Sequence, residues 1–186
     1  DGATRGATQG KLAEIAEVNG ITVTPGQGQI RYIDIASVGV GSYECPAPTD
    51  WSSAPGRARR GVSEGDTVWS TVRPNRRSHA LVLETGRDIV ASTGLAVITP
   101  REGDFAFVYE STRTGQFTAF LESVAEGSAY PAVKATLLAE APVPLPSVEQ
   151  RLAFEALAAP LRRRAHAAAM ESRSLARTRD ELLPLL

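Results

Sequence analysis

The sequence predicts an α+β fold: a small twisted mixed or antiparallel sheet with covering helices, followed by a long C-terminal helix. Three observations carry this. Short β-branched runs at residues 66–73 (DTVWSTVR), 79–84 (HALVLE), 89–92 and 95–99 crowd together between turn residues such as Arg73-Pro74-Asn75 and Thr93-Gly94. That spacing suits an antiparallel or mixed sheet rather than strand-helix-strand units. Phe105, Val108 and Tyr109, then Phe117, Phe120, Leu121 and Val124, recur at helical spacing, with a break at Arg113-Thr114-Gly115. Finally, Ser147-Val148-Glu149-Gln150 fits a capping box, in which the serine hydroxyl and the glutamine side chain satisfy helix-start donors reciprocally.

Taken in order, residues 12–18 (LAEIAEV) read as a short strand or one helical turn, and 19–29 as a Gly/Thr/Pro loop. Residues 31–38 (RYIDIASV) read as a strand, with Ile33 and Ile35 on an apolar face and Tyr32, Asp34 and Ala36 on the other. Residues 39–61, rich in Gly, Pro, Ser and Arg around Trp51, form an irregular insert of a length usually reserved for function. The stretch 127–150 (GSAYPAVKATLLAEAPVPLPSVEQ) orders a glycine turn, a short helix, a buried strand, a proline-rich exit and the capped helix. Pro142, Pro144 and Pro146 confine the strand at 139–145 to an edge or exit.

In the last helix Phe154, Leu161, Ala168, Leu175 and Leu182 recur every seven residues, flanked by Leu157, Ala158, Ala165 and Leu186. Roughly thirty-odd residues at about 1.5 Å each reach about 50 Å, more than the domain needs for itself. Phe154, Leu157, Leu161, Ala168, Leu175 and Leu182 are therefore the expected partner-packing residues, and Pro160 is expected to kink or divide the helix. The expected division is a domain at 1–146 and a helical spacer and assembly region at 147–186.

With 186 residues, 42% of them hydrophobic, the chain can build a real core. The formal net charge is -1, but charge is segregated: Arg57, Arg59, Arg60, Arg73, Arg76 and Arg77 cluster against Glu64 and Asp66. The lysines are Lys11 and Lys134, so cationic contacts fall to guanidinium forks, which suit phosphates and guanine edges. The single cysteine, Cys45, has no partner for an internal disulfide. No apolar run approaches a membrane span and no secretory pattern opens the chain, so no membrane partner and a cytoplasmic location are expected. The small polar opening, without methionine, is expected of a piece of a longer protein. His79, His166 and Cys45 lack metal-ligand spacing, Gly26-Gln27-Gly28 and Gly39-Val40-Gly41 read as turns, and there is neither a nucleophile elbow nor a defensible S-adenosylmethionine motif. No catalytic residue, metal or cofactor is assigned.

The succession YIDIASV, GDTVWSTVRP, IVASTGLAVITP, GSAYPAV and PVPLPSVEQ before a long helix resembles one target-recognition domain plus one helical region of the specificity subunit of type I restriction-modification systems. The resemblance runs from about Leu12 to Leu186. It implies a non-catalytic chain in which each of two such repeats reads one half of a bipartite duplex DNA sequence, while the helices pack as a spacer and hold DNA adenine methyltransferase subunits. Only one repeat is present here, so a second recognition domain must come from the same longer chain or from a homodimer. A reading domain belonging to a fused DNA methyltransferase carries the same pattern.

Under this resemblance the candidate DNA contacts are Arg57, Arg59 and Arg60 in the long insert, Arg73, Asn75, Arg76 and Arg77 at a strand end and turn, and Lys134, because affinity comes from phosphates and specificity from base edges. Tyr130 reads as a packing residue, and Arg162, Arg163 and Arg164 as a solvated helix face. Two other classes stand beside this one: a protein-interaction scaffold without DNA specificity, and a hydrolase with an unrecognised site.

Overall fold

The computed structural model describes residues 8–44, 46–86 and 88–183; Cys45 and Leu186 lie outside them. Strand β1 (Thr8–Lys11) leads into a single helical turn, α1 (Leu12–Ile15), and then β2 (Ala16–Val18), so residues 12–18 are turn and strand in succession. Strand β3 (Gln29–Ile33) stops short of the 31–38 pattern. The Asp34 carboxylate accepts the Ile35 amide at 2.7 Å and starts a 3-10 turn at Ile35–Ser37, the local side-chain competition that ends strands. The 39–61 insert is more regular than its composition suggests, with β4 (Pro48–Asp50), a 3-10 turn at Trp51–Ser53 and β5 (Ala58–Gly61).

Then come β6 (Thr67–Ser70), a 3-10 turn at Pro74–Arg76, β7 (His79–Leu81), β8 (Ile89–Ser92) and β9 (Leu95–Pro100). Helices α2 (Phe105–Thr112) and α3 (Gly115–Ser123) break where expected, with the Thr114 hydroxyl capping α3 through the Phe117 amide at 3.1 Å. Helix α4 (Ala135–Ala139), β10 (Pro142–Leu145) and α5 (Val148–Leu182) close the chain.

The fold is α+β, but its strands divide between two four-stranded sheets and a ribbon. One sheet, β2-β9-β6-β7, is antiparallel throughout; the other, β4-β3-β8-β5, is mixed, with β3 parallel to β8. Strands β8 and β9 are joined by Thr93-Gly94 yet belong to different sheets. Strand β10 pairs with β1 in a two-stranded ribbon, which lets its prolines sit at an edge.

Trp69 of β6 anchors the larger core, packed with Leu12, Ile98, Phe107, Phe117, Leu121 and Leu138. Its indole stacks on the His79 ring at 5.6 Å. His79 is buried; its Nδ1 lies 2.6 Å from the Arg77 carbonyl, which only accepts, so Nδ1 carries the proton, and Nε2 has no partner. Burial holds this imidazole below its ordinary pKa. The unfolded chain therefore takes the proton first: stability is full above about pH 6.5 and is lost as pH falls from there toward the folded-state value. Burial raises Asp66, which pulls the other way, so a His79→Gln variant isolates the ring's share. Urea midpoints measured near neutral and at about pH 5.5 should fall more for the wild type than for that variant; equal falls would refute the assignment.

Helix α5 runs unbroken through Pro160. The expectation of a divided helix is corrected by docking on both sides of the proline. Before it, Phe154 meets Phe107 edge-on at 5.8 Å, and Ala158 and Ala159 pack against Phe105, Ala106 and Leu83. After it, Arg162 pairs with Glu110, Arg163 with Glu64, and Arg173 donates to the Tyr43 carbonyl. Pro160 and Ala156 are both exposed, so water can replace the hydrogen bond the proline removes.

Candidate nucleic-acid interface

The turn Pro74–Arg76 is bracketed by two arginines in left-handed backbone, Arg73 (φ 52°) and Arg77 (φ 54°). A residue with a β-carbon holds that conformation only at a cost of about 1 kcal/mol or more, and the neighbours supply it. Pro74 is buried. The Arg73 amide donates to the Pro131 carbonyl at 2.7 Å, its Nη2 donates to the Ala129 carbonyl at 3.3 Å, and its guanidinium lies 4.4 Å above the Tyr130 ring. Arg77 Nη2 donates to the Arg113 carbonyl at 2.6 Å, placing a cation at the C-terminal end of α2, where the helix dipole favours it. Asn75 and Arg76 are left as the exposed tip.

This tip borders an open concavity of about 440 Å³ lined by Asp34, Arg57, Ser70, Arg73, Arg76 and Tyr130, among others. One arginine of the first sequence cluster thus meets two of the second: Arg57 arrives just before β5, and Arg73 and Arg76 just after β6. Tyr130 is carried by a small loop in which Glu126 and Ala132 exchange backbone hydrogen bonds at 2.9 Å, with Gly127 at φ 103° making the bend. Its side chain is 70% exposed, so the packing role expected for it is corrected: it is a platform under Arg73 at the rim. An aromatic between a turn glycine and Pro131 was the signal for an exposed tip.

The other candidates lie elsewhere. Arg59 and Arg60 are in strand β5, not in a loop, and the segment at Ile21 and Val23 hydrogen-bonds along that strand (Gly61 amide to Ile21 carbonyl 3.0 Å, Val23 amide to Arg59 carbonyl 2.8 Å). Arg60 Nε is buried without a partner. Arg77 faces inward. Lys134 precedes α4, exposed, in an ion pair with Glu126 at 2.9 Å.

Of the expected packing residues, Phe154 faces its own domain, whereas Leu157, Leu161, Ala168, Leu175 and Leu182 are exposed. A seven-residue spacing drifts by about 20° per heptad on a straight helix, so a row that begins on the domain at Phe154 rotates off it. The face that does touch the domain joins the apolar contacts of Phe154, Ala158 and Ala159 to charged ones. Arg151 pairs with Asp104 at 3.1 Å and Glu102 at 2.8 Å, and the Glu155 carboxylate accepts the Ala106 and Phe107 amides at 3.1 and 3.0 Å. Arg162 and Arg163, read as a solvated face, belong to this docking strip. Among the described residues no cluster of His, Cys, Asp or Glu could hold a metal, and no helix is long and apolar enough to cross a membrane.

These features define an α+β domain with an arginine-lined concavity and a long helix that carries a thin row of exposed apolar residues. No protein-family model and no curated protein sequence matches the chain. Solved structures do match, among them HsdS and S subunits of type I restriction-modification systems. The HsdS subunit from Thermoanaerobacter tengcongensis is 26% identical with a TM-score of 0.68, the match covering 95% of this chain and 45% of that one. A structure concerned with complex assembly and conformational transition of the type I R-M system matches at 26% identity and a TM-score of 0.69, over 95% of this chain and 47% of that one. The S subunit from M. genitalium, at 11% identity and a TM-score of 0.58 over 94% of this chain and 44% of that one, shares the fold. The chain spans slightly less than half the length of these subunits.

Proposed function

We propose that the chain is a non-catalytic, sequence-specific DNA recognition module of a type I restriction-modification complex, reading one half-site with residues 1–146 and using 147–186 as spacer and assembly region. The observation that carries this reading is the match of 95% of the chain, at 26% identity, onto less than half of an HsdS subunit. The concavity bearing Arg57, Arg73 and Arg76 supplies the DNA surface, and the uncovered row Leu157, Leu161, Ala168, Leu175 and Leu182 packs on a second recognition module or on a DNA adenine methyltransferase subunit. Methyl transfer belongs to that partner, which works with this chain in the cytoplasm.

Duplex binding by the chain in complex with its methyltransferase tests the reading. Affinity should fall steeply with salt and favour one sequence over random competitor. Arg57→Ala should weaken all duplexes alike and reduce the slope of log affinity against log salt by about 0.9. Adenine methylation mapped across a genome expressing both proteins should show one bipartite or palindromic motif. Salt-insensitive binding without preference would leave the scaffold reading, favoured by the uncovered leucines, in its place.

A further inference from the structure

We propose that Asn75 and Arg76 are the residues with which this domain reads base edges, and that Arg73 and Arg77 are positioning residues that hold them out. The proposal rests on the DNA-recognition reading above and goes beyond it by assigning direct readout to one turn.

The four polar residues of the turn divide by what their side chains already do. Arg73 and Arg77 spend their guanidinium groups on the Ala129 and Arg113 carbonyls and the Tyr130 ring. Asn75 and Arg76 are exposed and make no side-chain hydrogen bond or ion pair among the described residues. Bracketing left-handed residues, a buried Pro74 and 2.9 Å backbone hydrogen bonds from the Arg76 and Arg77 amides to the Arg73 and Pro74 carbonyls make the tip rigid. On a fixed turn the backbone is already ordered, so binding has only the two side chains left to order. Their chemistry is that of the major groove: an asparagine amide donates and accepts against adenine N6 and N7, and an arginine fork donates twice to guanine O6 and N7.

Beside Asp34 itself a base edge is favoured over a phosphate. Asp34 lines the same concavity, and one of its oxygens holds the Ile35 amide. A carboxylate repels a phosphate, but it accepts from an exocyclic amino group of cytosine or adenine.

Selection from a randomised duplex pool, followed by competition titrations at several salt concentrations, tests the assignment on the full chain in its methyltransferase complex. Asn75→Ala and Arg76→Ala should each flatten the preference at a base pair by about 5- to 150-fold, with melting temperature nearly unchanged and a larger loss of affinity for the selected duplex than for random duplex. Arg57→Ala, the control, should keep the preference and lose affinity for every sequence. Arg77→Ala should blur both base positions together; a lowered melting temperature with intact preference would overturn its positioning role. Wild-type preference surviving in both Asn75→Ala and Arg76→Ala overturns the proposal while leaving DNA recognition standing. A wild-type complex that selects no sequence overturns DNA recognition itself, and the assignment with it.

Discussion

Trp69→Ala is expected to lower the free energy of unfolding by about 3–5 kcal/mol. The indole is fully buried on β6, between β9 and β7, stacked on His79 and tilted against Phe117 at 5.7 Å. Its walls are hydrogen-bonded strands on one side and α3 on the other, which cannot close over a large void without giving up ladder bonds. The ring nitrogen has no hydrogen-bond partner, so the loss is one of packing and cavity formation, and Trp69→Phe should recover most of it. Urea unfolding with an unchanged m-value measures the effect; a loss under about 1 kcal/mol would mean that the site collapses freely. The site should feel the change as well. His79 leans on Trp69 and holds the Arg77 carbonyl, so loosening the stack loosens one end of the turn that presents Asn75 and Arg76.

What was legible in the sequence was local. The capping box of α5, with the Ser147 hydroxyl accepting the Gln150 amide at 3.2 Å and the Gln150 side chain accepting the Ser147 amide at 3.0 Å, lies within four residues. The break between α2 and α3 at Arg113-Thr114-Gly115 is equally local. Strand order was not legible, because it depends on distant partners: Ile30 pairs with Thr49, and Thr22 bridges to Arg60. Those pairings turn the 39–61 insert into strands and split β8 from β9.

The helix follows the same logic. Its leucine row could be read from spacing, but much of the face that docks is Arg151, Glu155, Arg162 and Arg163 beside the small Ala158 and Ala159, and such positions leave little apolar periodicity to find. At the candidate site, Arg73-Pro74-Asn75-Arg76 announced a basic turn tip. That Arg57 shares its concavity, that Arg77 turns inward and that Tyr130 props Arg73 are consequences of tertiary packing alone.

Glu155→Ala is expected to cost about 2–4 kcal/mol, more than a surface carboxylate on a long helix would suggest. An α-helix begins with unpaired amides, usually met by the side chain of the residue before it. In α2 that residue is Asp104, whose carboxylate makes no such cap and instead takes Arg151. Glu155, one turn further along α5 from Arg151, supplies both acceptors to Ala106 and Phe107. Helix α5 thus completes the start of α2 while α2 fixes the direction of α5. Removing the carboxylate orphans two amides of buried residues; Glu155→Gln keeps one strong acceptor and should lose about half as much. Denaturant unfolding reads the total. Hydrogen exchange at the Ala106 and Phe107 amides reads the joint itself, and faster exchange there before any change in β6 or β9 would show α5 lifting from a domain that stays folded. Unchanged exchange at both amides would sink the capping role. In the proposed complex the distance between half-sites depends on the angle at which α5 leaves the domain, so the same variant should lower methylation at a fixed spacing more than it lowers binding to an isolated half-site.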